Sequence, residues 1–408
     1  MYDVIIIGAG AAGMMAAGTA AQNGKKVLVI EKMEKAGRKI RITGKGRCNV
    51  CNNCDIDTLI ANVPENGRFL YSAFSGFAPQ DTMTFFESLG VSLKTERGNR
   101  VFPVSDKASD IVDALVKAAK RGGAEIIQGT AKKILTENGA VSGVLFENGE
   151  ALPADSVILA TGGMSYPLTG STGDGYKIAR ALGHTVTEIK PSLVALNAHE
   201  GFCERLAGLS LKNVAISVFE EGRKKPVFSE LGEMLFTHFG ISGPLVLSAS
   251  AHMRYIGKKQ YTAAIDLKPG LTPEQLDKRI LRDFDEEKNR DFINSLNKLL
   301  PKSLIPIVVR LSCIEPDRKV NSISREQRAA LCRVLKEFTL HITGTRPIDE
   351  AIITRGGISV KEIDPKTMGS RLISGLYFAG EIIDVDAYTG GFNLQIAFST
   401  GFAAGSNV

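Results

Sequence analysis

The sequence has no tryptophan, and Phe and Tyr together make up 7% of its 408 residues. Proteins that hold single-stranded nucleic acid stack bases on aromatic side chains set among basic ones, and no such interleaving is present. Charge of one sign is also scarce. Lys and Arg number 50 against 44 Asp and Glu, a net charge of +6, scattered apart from short runs such as Arg38-Lys39 and Arg223-Lys224-Lys225. No nucleic-acid partner is therefore expected. No apolar run approaches the roughly 20 residues that span a bilayer, so no membrane association is expected either. The apolar N-terminus lacks the basic stretch and cleavage site of a leader, and a cytoplasmic protein is expected. Cysteine is sparse, with six residues at 48, 51, 54, 203, 313 and 332. A chain long enough to bury a large core needs no disulfide framework. Cys48, Cys51 and Cys54 have a C-x2-C-x2-C spacing, but no fourth cysteine followed by proline completes an iron–sulfur pattern. Free thiols are the expectation. No set of His, Cys and carboxylates has zinc spacing, so no metal is expected, and no nucleophile elbow is present. The oligomeric state has no signature in the sequence.

Glycine is what the chain has in excess: 42 residues, clumped where backbone must turn tightly or approach a ligand. The first clump follows Tyr2–Ile7 (YDVIII), which reads as a buried parallel strand. Gly8-Ala9-Gly10-Ala11-Ala12-Gly13 comes next, then an Ala-rich helix to Gln22, then a strand, Lys26–Ile30, closed by Glu31. In this strand, G-x-G-x-x-G, helix, strand, acid unit, Gly8 permits the turn, Gly10 lets a pyrophosphate approach and Gly13 lets the helix pack. The helix N-terminus offers N–H groups to phosphates, and Glu31, 18 residues past Gly13, is placed to accept from ribose hydroxyls. The unit predicts an ADP-containing dinucleotide, and an acid at this point excludes a 2′-phosphate.

FAD and NAD both satisfy that unit, and the C-terminus decides between them. A strand ending in Phe378 leads to Gly380-Glu381, and Gly390-Gly391-Phe392-Asn393-Leu394-Gln395 opens a helix. A second Gly-rich helix start suits a cofactor with a second, polyhydroxylated half. Gly380-Glu381 is expected to meet ribitol and phosphate, and the helix start near Asn393 to face a flavin carbonyl. Between the two ends, residues 126–150 alternate like a β-meander with turns at Asn138-Gly139 and Asn148-Gly149, and Val157–Thr161 returns to the sheet and runs into Gly162-Gly163.

Together these residues resemble the glutathione-reductase-like class of FAD proteins and, more narrowly, the BaiN/YhiN-like flavoproteins, also known as the aminoacetone oxidase family. The resemblance rests on Ala36-Gly37-Arg38-Lys39 through Thr43-Gly44-Lys45-Gly46-Arg47-Cys48-Asn49, on Gly232 through Thr237-His238-Phe239-Gly240-Ile241-Ser242-Gly243-Pro244, on Gly356-Gly357-Ile358 and Thr367-Met368, and on Gly380 through Gln395. It runs essentially end to end. It implies an α/β fold: a split Rossmann-like FAD-binding domain (1–191 and 346–408) with an inserted substrate or cap domain (192–345), β to about 270 and helical from about 271. Cofactor contacts are then expected at Gly8, Gly10, Ala12, Gly13, Glu31, Lys32, Arg38, Lys39, Gly46, Cys48, Asn49, Ala131, Gly162, Gly380, Glu381, Gly391, Phe392, Asn393 and Leu394. Lys45, where the family often has glycine, and Ile396, where it often has an aromatic residue, depart from the pattern.

In the middle of the chain, short strands (NVAISVF, YTAAIDL) are expected around a T-H-F-G-I-S-G-P loop, followed by helices from Thr272-Pro273 to about Thr339. Ser324-x-x-Gln327 reads as a capping box, and the charge run Asp283–Arg290 as a solvated helix face. Gly170–Tyr176 carries a T-G-D-G string similar to that of fumarate-reductase and ketosteroid-dehydrogenase flavoproteins, with a cofactor-supporting helix cap as the other reading. Flavin chemistry asks the protein for one proton. His238 is the first candidate for it and Tyr388 the second, with Arg355 or Arg346 as a carboxylate holder. The expected activity is reduction of an activated C=C bond of a small hydrophobic molecule, such as a 3-oxo steroid or bile acid, at the expense of NADH or NADPH. The alternative is an amine oxidase using oxygen.

Overall fold

The computed structural model describes residues 1–408 and divides into two compact units, one formed by residues 1–192 and 348–408 and the other by residues 193–347. In the first, β1 (Tyr2–Ile7), α1 (Ala11–Gln22) and β2 (Val27–Glu31) are followed by α2 (Ala108–Arg121) and β3 (Glu125–Gln128). β3, β2 and β1 lie side by side and parallel. Val4, Ile5 and Ile6 are fully buried, as are Val27–Ile30. Such strands are covered on both faces, which is why they read as unbroken apolar runs rather than alternating ones. Each such side chain contributes about 1.5–3 kcal/mol by leaving water.

β3 is a finding, because residues 126–128 belong to the parallel sheet and not to the meander. The meander starts with β4 (Ala131–Glu137), then β5 (Ala140–Phe146) and β6 (Ala151–Leu159). β6 changes role along its length. Residues 151–153 pair antiparallel with β5, whereas 154–159 pair parallel with β1. The apolar half, Val157–Leu159, is fully buried. After β6 comes α3 (Asp174–Ala181).

In the second unit, β7 (Leu196–Ala198), β8 (Ser210–Glu220), β9 (Phe228–Thr237), β10 (Gly240–Ser242), β11 (Tyr261–Asp266) and β12 (Phe338–Thr345) close into a barrel in the order β7-β10-β9-β8-β11-β12. The T-H-F-G-I-S-G-P string is therefore not a free loop. It is the end of β9, a tight turn, β10, and the start of a helix at Pro244. The helical part holds α4 (Pro273–Glu286), α5 (Ile305–Ser312) and α6 (Arg325–Lys336). Thr272 with Gln275, and Ser324 with Gln327, form reciprocal capping boxes at α4 and α6. The helices stop at Lys336, and residues 338–345 leave them to complete the barrel. The charge run also differs from expectation. Asp283 is buried and accepts from Arg279 Nε at 2.8 and 2.9 Å, and α4 ends at Glu286.

The chain then returns to the first unit, where β13 (Leu376–Phe378) pairs parallel with the second half of β6, and α7 (Phe392–Ser406) follows. α1 and α7 meet through small residues. A Cβ on Gly401 would sit 2.4 Å from Ala12 O, and one on Gly405 would sit 2.5 Å from Ala16 O.

Candidate cofactor and active site

Three glycines at the β1–α1 turn have separate jobs. Gly8 has φ +107°, and a Cβ there would lie 2.5 Å from Ala160 O. A Cβ on Gly13 would lie 1.9 Å from Gly8 O. Both positions are closed by backbone. Gly10 has no atom within 4 Å of where its Cβ would stand, so its missing side chain opens space that the protein does not fill. It is also the N-cap of α1 and makes no side-chain cap bond, which leaves the first-turn N–H groups, with Ala12 among them, available to an anion. Glu31, at the end of β2, accepts from Ala9 N–H at 2.8 Å and Met33 N–H at 2.9 Å, one on each oxygen. Each oxygen retains a lone pair for a ribose hydroxyl. Gln128 stands in register with Glu31, and Gly129 N–H donates to Glu31 O at 2.9 Å. That pairing carries Ala131, two residues on, to the same end of the sheet.

The second helix start is built alike. Gly391, φ +99°, is the N-cap of α7 and makes no side-chain cap bond. A Cβ there would meet the Cys51 backbone at 2.4 Å and Asn49 Oδ1 at 2.9 Å. The Asn393 side chain is committed to the preceding loop. Its Oδ1 accepts from Ala387 N–H at 2.9 Å, and its Nδ2 donates to Ala387 O at 2.8 Å. What remains for a cofactor at Phe392, Asn393 and Leu394 is backbone N–H. Tyr388 is held in the same loop, its N–H donating to Asn62 O at 3.0 Å and its carbonyl accepting from Asn393 Nδ2 at 3.3 Å.

Several expected contacts are tied to each other. Lys39 Nζ lies 2.6 Å from Glu381 Oε2 and 2.7 Å from Ser165 Oγ, and Glu381 Oε1 accepts from Ser165 Oγ and Thr354 N–H at 3.0 and 2.9 Å. The Glu381 carboxylate is thus tied to Lys39, Ser165 and Thr354, and it neutralises Lys39. Gly380, φ +79°, is buried against Ala12, its N–H donating to Thr400 Oγ1 at 2.9 Å and its carbonyl accepting from Ile383 N–H at 3.1 Å. Lys32 pairs with Asp174 at 2.6 Å. Burial opposes ionisation of Asp174, but the bonds from Lys32 and Thr172 outweigh it and hold the carboxyl below its ordinary value. The T-G-D-G string, at the start of α3, is thus tied to Lys32 just past the end of β2. Arg38 and Gly46 are exposed. Gly162, φ +73°, approaches Ser171 Oγ. Cys48 is fully buried with φ +60°, and burial raises its thiol to about 12, as it raises Cys54 to about 11 and Cys51 further. All six cysteines are free.

Three buried polar atoms of this unit lack a hydrogen-bond partner: Arg41 Nε, on a side chain paired with Asp113, Asn49 Oδ1 and Thr161 Oγ1. The last two concern the cradle. Asn49 Oδ1 lies against Gly391. Thr161 follows the end of β6, its Cα 3.1 Å from where a Gly8 Cβ would stand. Open space at Gly10, two uncapped helix starts, an acid with spare lone pairs and these two orphaned atoms all fit a dinucleotide with a polar second half. Thr161 was not among the expected contacts. Its signal was its place, directly after the apolar run of β6.

His238 is not in this unit. It is exposed at the β9–β10 turn of the barrel, its ring edge-on to Phe239. Arg346, also in the barrel unit, lies over the Phe239 ring at 4.4 Å. Arg355 is buried in the first unit.

The HI0933-like protein Rossmann domain family matches residues 2–407. The chain belongs to this family. It is 34% identical to the 3-dehydro-bile acid delta(4,6)-reductase of Clostridium scindens, over 99% of this chain and 98% of that protein. It is also 31% identical to the ribosomal RNA dihydrouridine synthase of Escherichia coli, over 100% and 98%. Among solved structures, the 3-ketosteroid delta1-dehydrogenase of Sterolibacterium denitrificans is similar in fold, with TM-score 0.54, 15% identity and coverage of 99% and 98%. The α/β fold with its parallel Rossmann-type sheet is as expected, and the chain is an FAD-binding oxidoreductase of this family. No helix is long and apolar enough to cross a membrane.

Proposed function

We propose that this HI0933-like protein reduces a carbon–carbon double bond conjugated to a carbonyl, with NADH or NADPH as the source of reducing equivalents. The observation that carries this reading is end-to-end similarity to a bile acid delta(4,6)-reductase and to an rRNA dihydrouridine synthase. Both names describe hydrogen and a C=C bond beside a carbonyl, in a steroid enone and in a uracil ring. Bound FAD would supply the hydride. Gly10 and the first turn of α1 would hold its pyrophosphate, Glu31 its adenosine ribose, and the amides opening α7 its flavin end. A reduced enone needs one proton at the carbon beside the carbonyl. Tyr388 is the donor in the cradle unit, a phenol that can donate a proton, on a loop pinned by Asn62 and Asn393. His238 is the donor the barrel unit would offer. A 3-oxo bile acid enone is the first substrate to try.

A second reading, a uracil ring within RNA as substrate, is favoured by where the charge lies. Residues 193–347 hold 24 Lys and Arg against 18 Asp and Glu, while the first unit holds 26 of each. The whole net charge of +6 therefore belongs to the barrel unit. Scatter along the sequence is no ground for excluding a nucleic-acid partner when relatives carry the synthase name.

The deciding experiment is anaerobic visible absorption of the purified protein, titrated with NADH and then NADPH. Flavin bands that bleach, and recover on adding a 3-oxo-4-ene bile acid or a uridine oligoribonucleotide, support the reductase. Bands that persist with both nucleotides, yet bleach with aminoacetone and recover in air, overturn it in favour of an amine oxidase.

A further inference from the structure

Asn197 Oδ1 and Thr237 Oγ1 are buried in the barrel unit with no hydrogen-bond partner. They are related by register. Asn197 on β7 and Thr237 on β9 are both paired with Gly240 on β10, and Asn197 is paired on its other side with Gly344 on β12. Residues in register across neighbouring strands share a face. Thr237, Gly240, Asn197 and Gly344 therefore form one row, in which polar side chains alternate with glycines. The adjoining row, Phe236, Ile241 and Leu196, is buried in the barrel core. The polar row takes the opposite face, as strand alternation requires. Beside it, Ala198 N–H donates to Phe239 O at 3.0 Å, and Arg346 stacks on the Phe239 ring.

Asn197 states what the row lacks. Its Nδ2 donates to Thr345 O at 3.1 Å, which sets the orientation of the amide, since the other flip would put oxygen against oxygen. Oδ1 is then an acceptor and nothing else. Folded proteins leave few buried acceptors without a donor, and those that remain call for an explanation. A ketone oxygen brings Asn197 no donor. An imide N–H or a hydroxyl does, and the Thr237 hydroxyl can serve either a donor or an acceptor on the same molecule.

We propose that Asn197 and Thr237 form a ligand-reading row that binds a hydrogen-bond-donating group, an imide N–H or a hydroxyl, of a ligand. This rests on the function proposed above only in the choice of probes. Binding is measured apart from turnover, so the two fail separately.

The test is equilibrium binding to the FAD-loaded protein, measured by equilibrium dialysis, with four probes in two pairs. One pair is a uridine oligoribonucleotide and its N3-methyluridine counterpart. The other is a 3-oxo-4-ene bile acid with a ring hydroxyl and its deoxy counterpart. The wild type is expected to bind the donor-bearing member of one pair about tenfold more tightly, the size of one hydrogen bond, and the responding pair identifies the donor as imide or hydroxyl. In Thr237→Val, which keeps the β-branched shape, and in Asn197→Ala, that preference is expected to fall towards one. Because Asn197 also holds Thr345, Thr237→Val is the variant that stands if Asn197→Ala does not fold. The proposal is overturned if the wild type shows no preference within either pair, if it binds none of the four, or if the preference survives in folded variants.

Discussion

Replacing Gly10 with alanine separates a glycine kept for the cofactor from one kept for the fold. Gly10 has φ −80° and ψ −167°, an extended conformation that alanine adopts without strain, and no protein atom lies within 4 Å of the added methyl. Alanine is a poorer N-cap than glycine by about 0.5–1 kcal/mol. The loss of freedom in the unfolded chain returns about 0.4–1 kcal/mol. The stability of the FAD-stripped protein should therefore change by less than about 0.5 kcal/mol. If a pyrophosphate must pack where that methyl would stand, FAD affinity should fall by at least about thirtyfold, or about 2 kcal/mol. Gly13→Ala is the control. Its methyl would stand 1.9 Å from Gly8 O, and forcing atoms into a packed site costs about 1–3 kcal/mol or more, so this variant should lose stability with or without FAD. The assay is Tm of stripped protein with and without added FAD, beside an FAD fluorescence titration. At 100 times its Kd, a ligand stabilises by about 2.7 kcal/mol, and the same FAD concentration should stabilise Gly10→Ala by about 0.9 kcal/mol or less, with a correspondingly smaller rise in Tm. A Gly10→Ala protein that binds FAD like the wild type would refute the assignment of this space. One that unfolds when stripped would refute the claim that the space is empty.

Glu31→Gln should weaken FAD binding about tenfold by replacing an acceptor-only group with one that has a single acceptor oxygen, measured by the same titration. Glu381→Ala takes the acceptor from Lys39, Ser165 and Thr354 N–H at once. Urea unfolding should show a loss of about 2–4 kcal/mol, and an unchanged midpoint would mean the network is ornamental. His252, at the end of the helix Pro244–His252 and beside the Phe228 ring, is lowered by burial, and further by Arg254, from near 6.5 to about 4. Because the unfolded chain binds the proton more readily, its contribution is complete above about pH 6.5 and is lost as pH falls towards 4. His252→Phe should flatten that limb of a Tm-against-pH curve. Ser324→Ala removes the acceptor for Gln327 N–H at the start of α6 and should cost about 1 kcal/mol in thermal unfolding.

The sequence by itself determined whatever depends on residues close together along the chain. β1, the glycine turn, α1, β2 and Glu31 were legible because one backbone turn needs particular glycines at particular spacing. The capping box at Ser324 spans four residues, as does the helix start at Thr272-Pro273 in its first turn, and the hairpin turns at Asn138-Gly139 and Asn148-Gly149 need only two residues with a special backbone. What only the tertiary structure decided is pairing across distance. Residues 125–128 sit beside β2, and Phe338–Thr345 returns from the helices to close the barrel, because strand partners are chosen by what else needs covering and not by local preference. The ion pair of Glu381 with Lys39, 342 positions away, is likewise a product of the fold. Asn197 and Thr237 carried no signal at all, since an unmet acceptor exists only once register has placed every other donor. Charge behaves the same way: +6 spread along 408 residues looks like nothing, and becomes a property of one unit only when folding divides the chain in two.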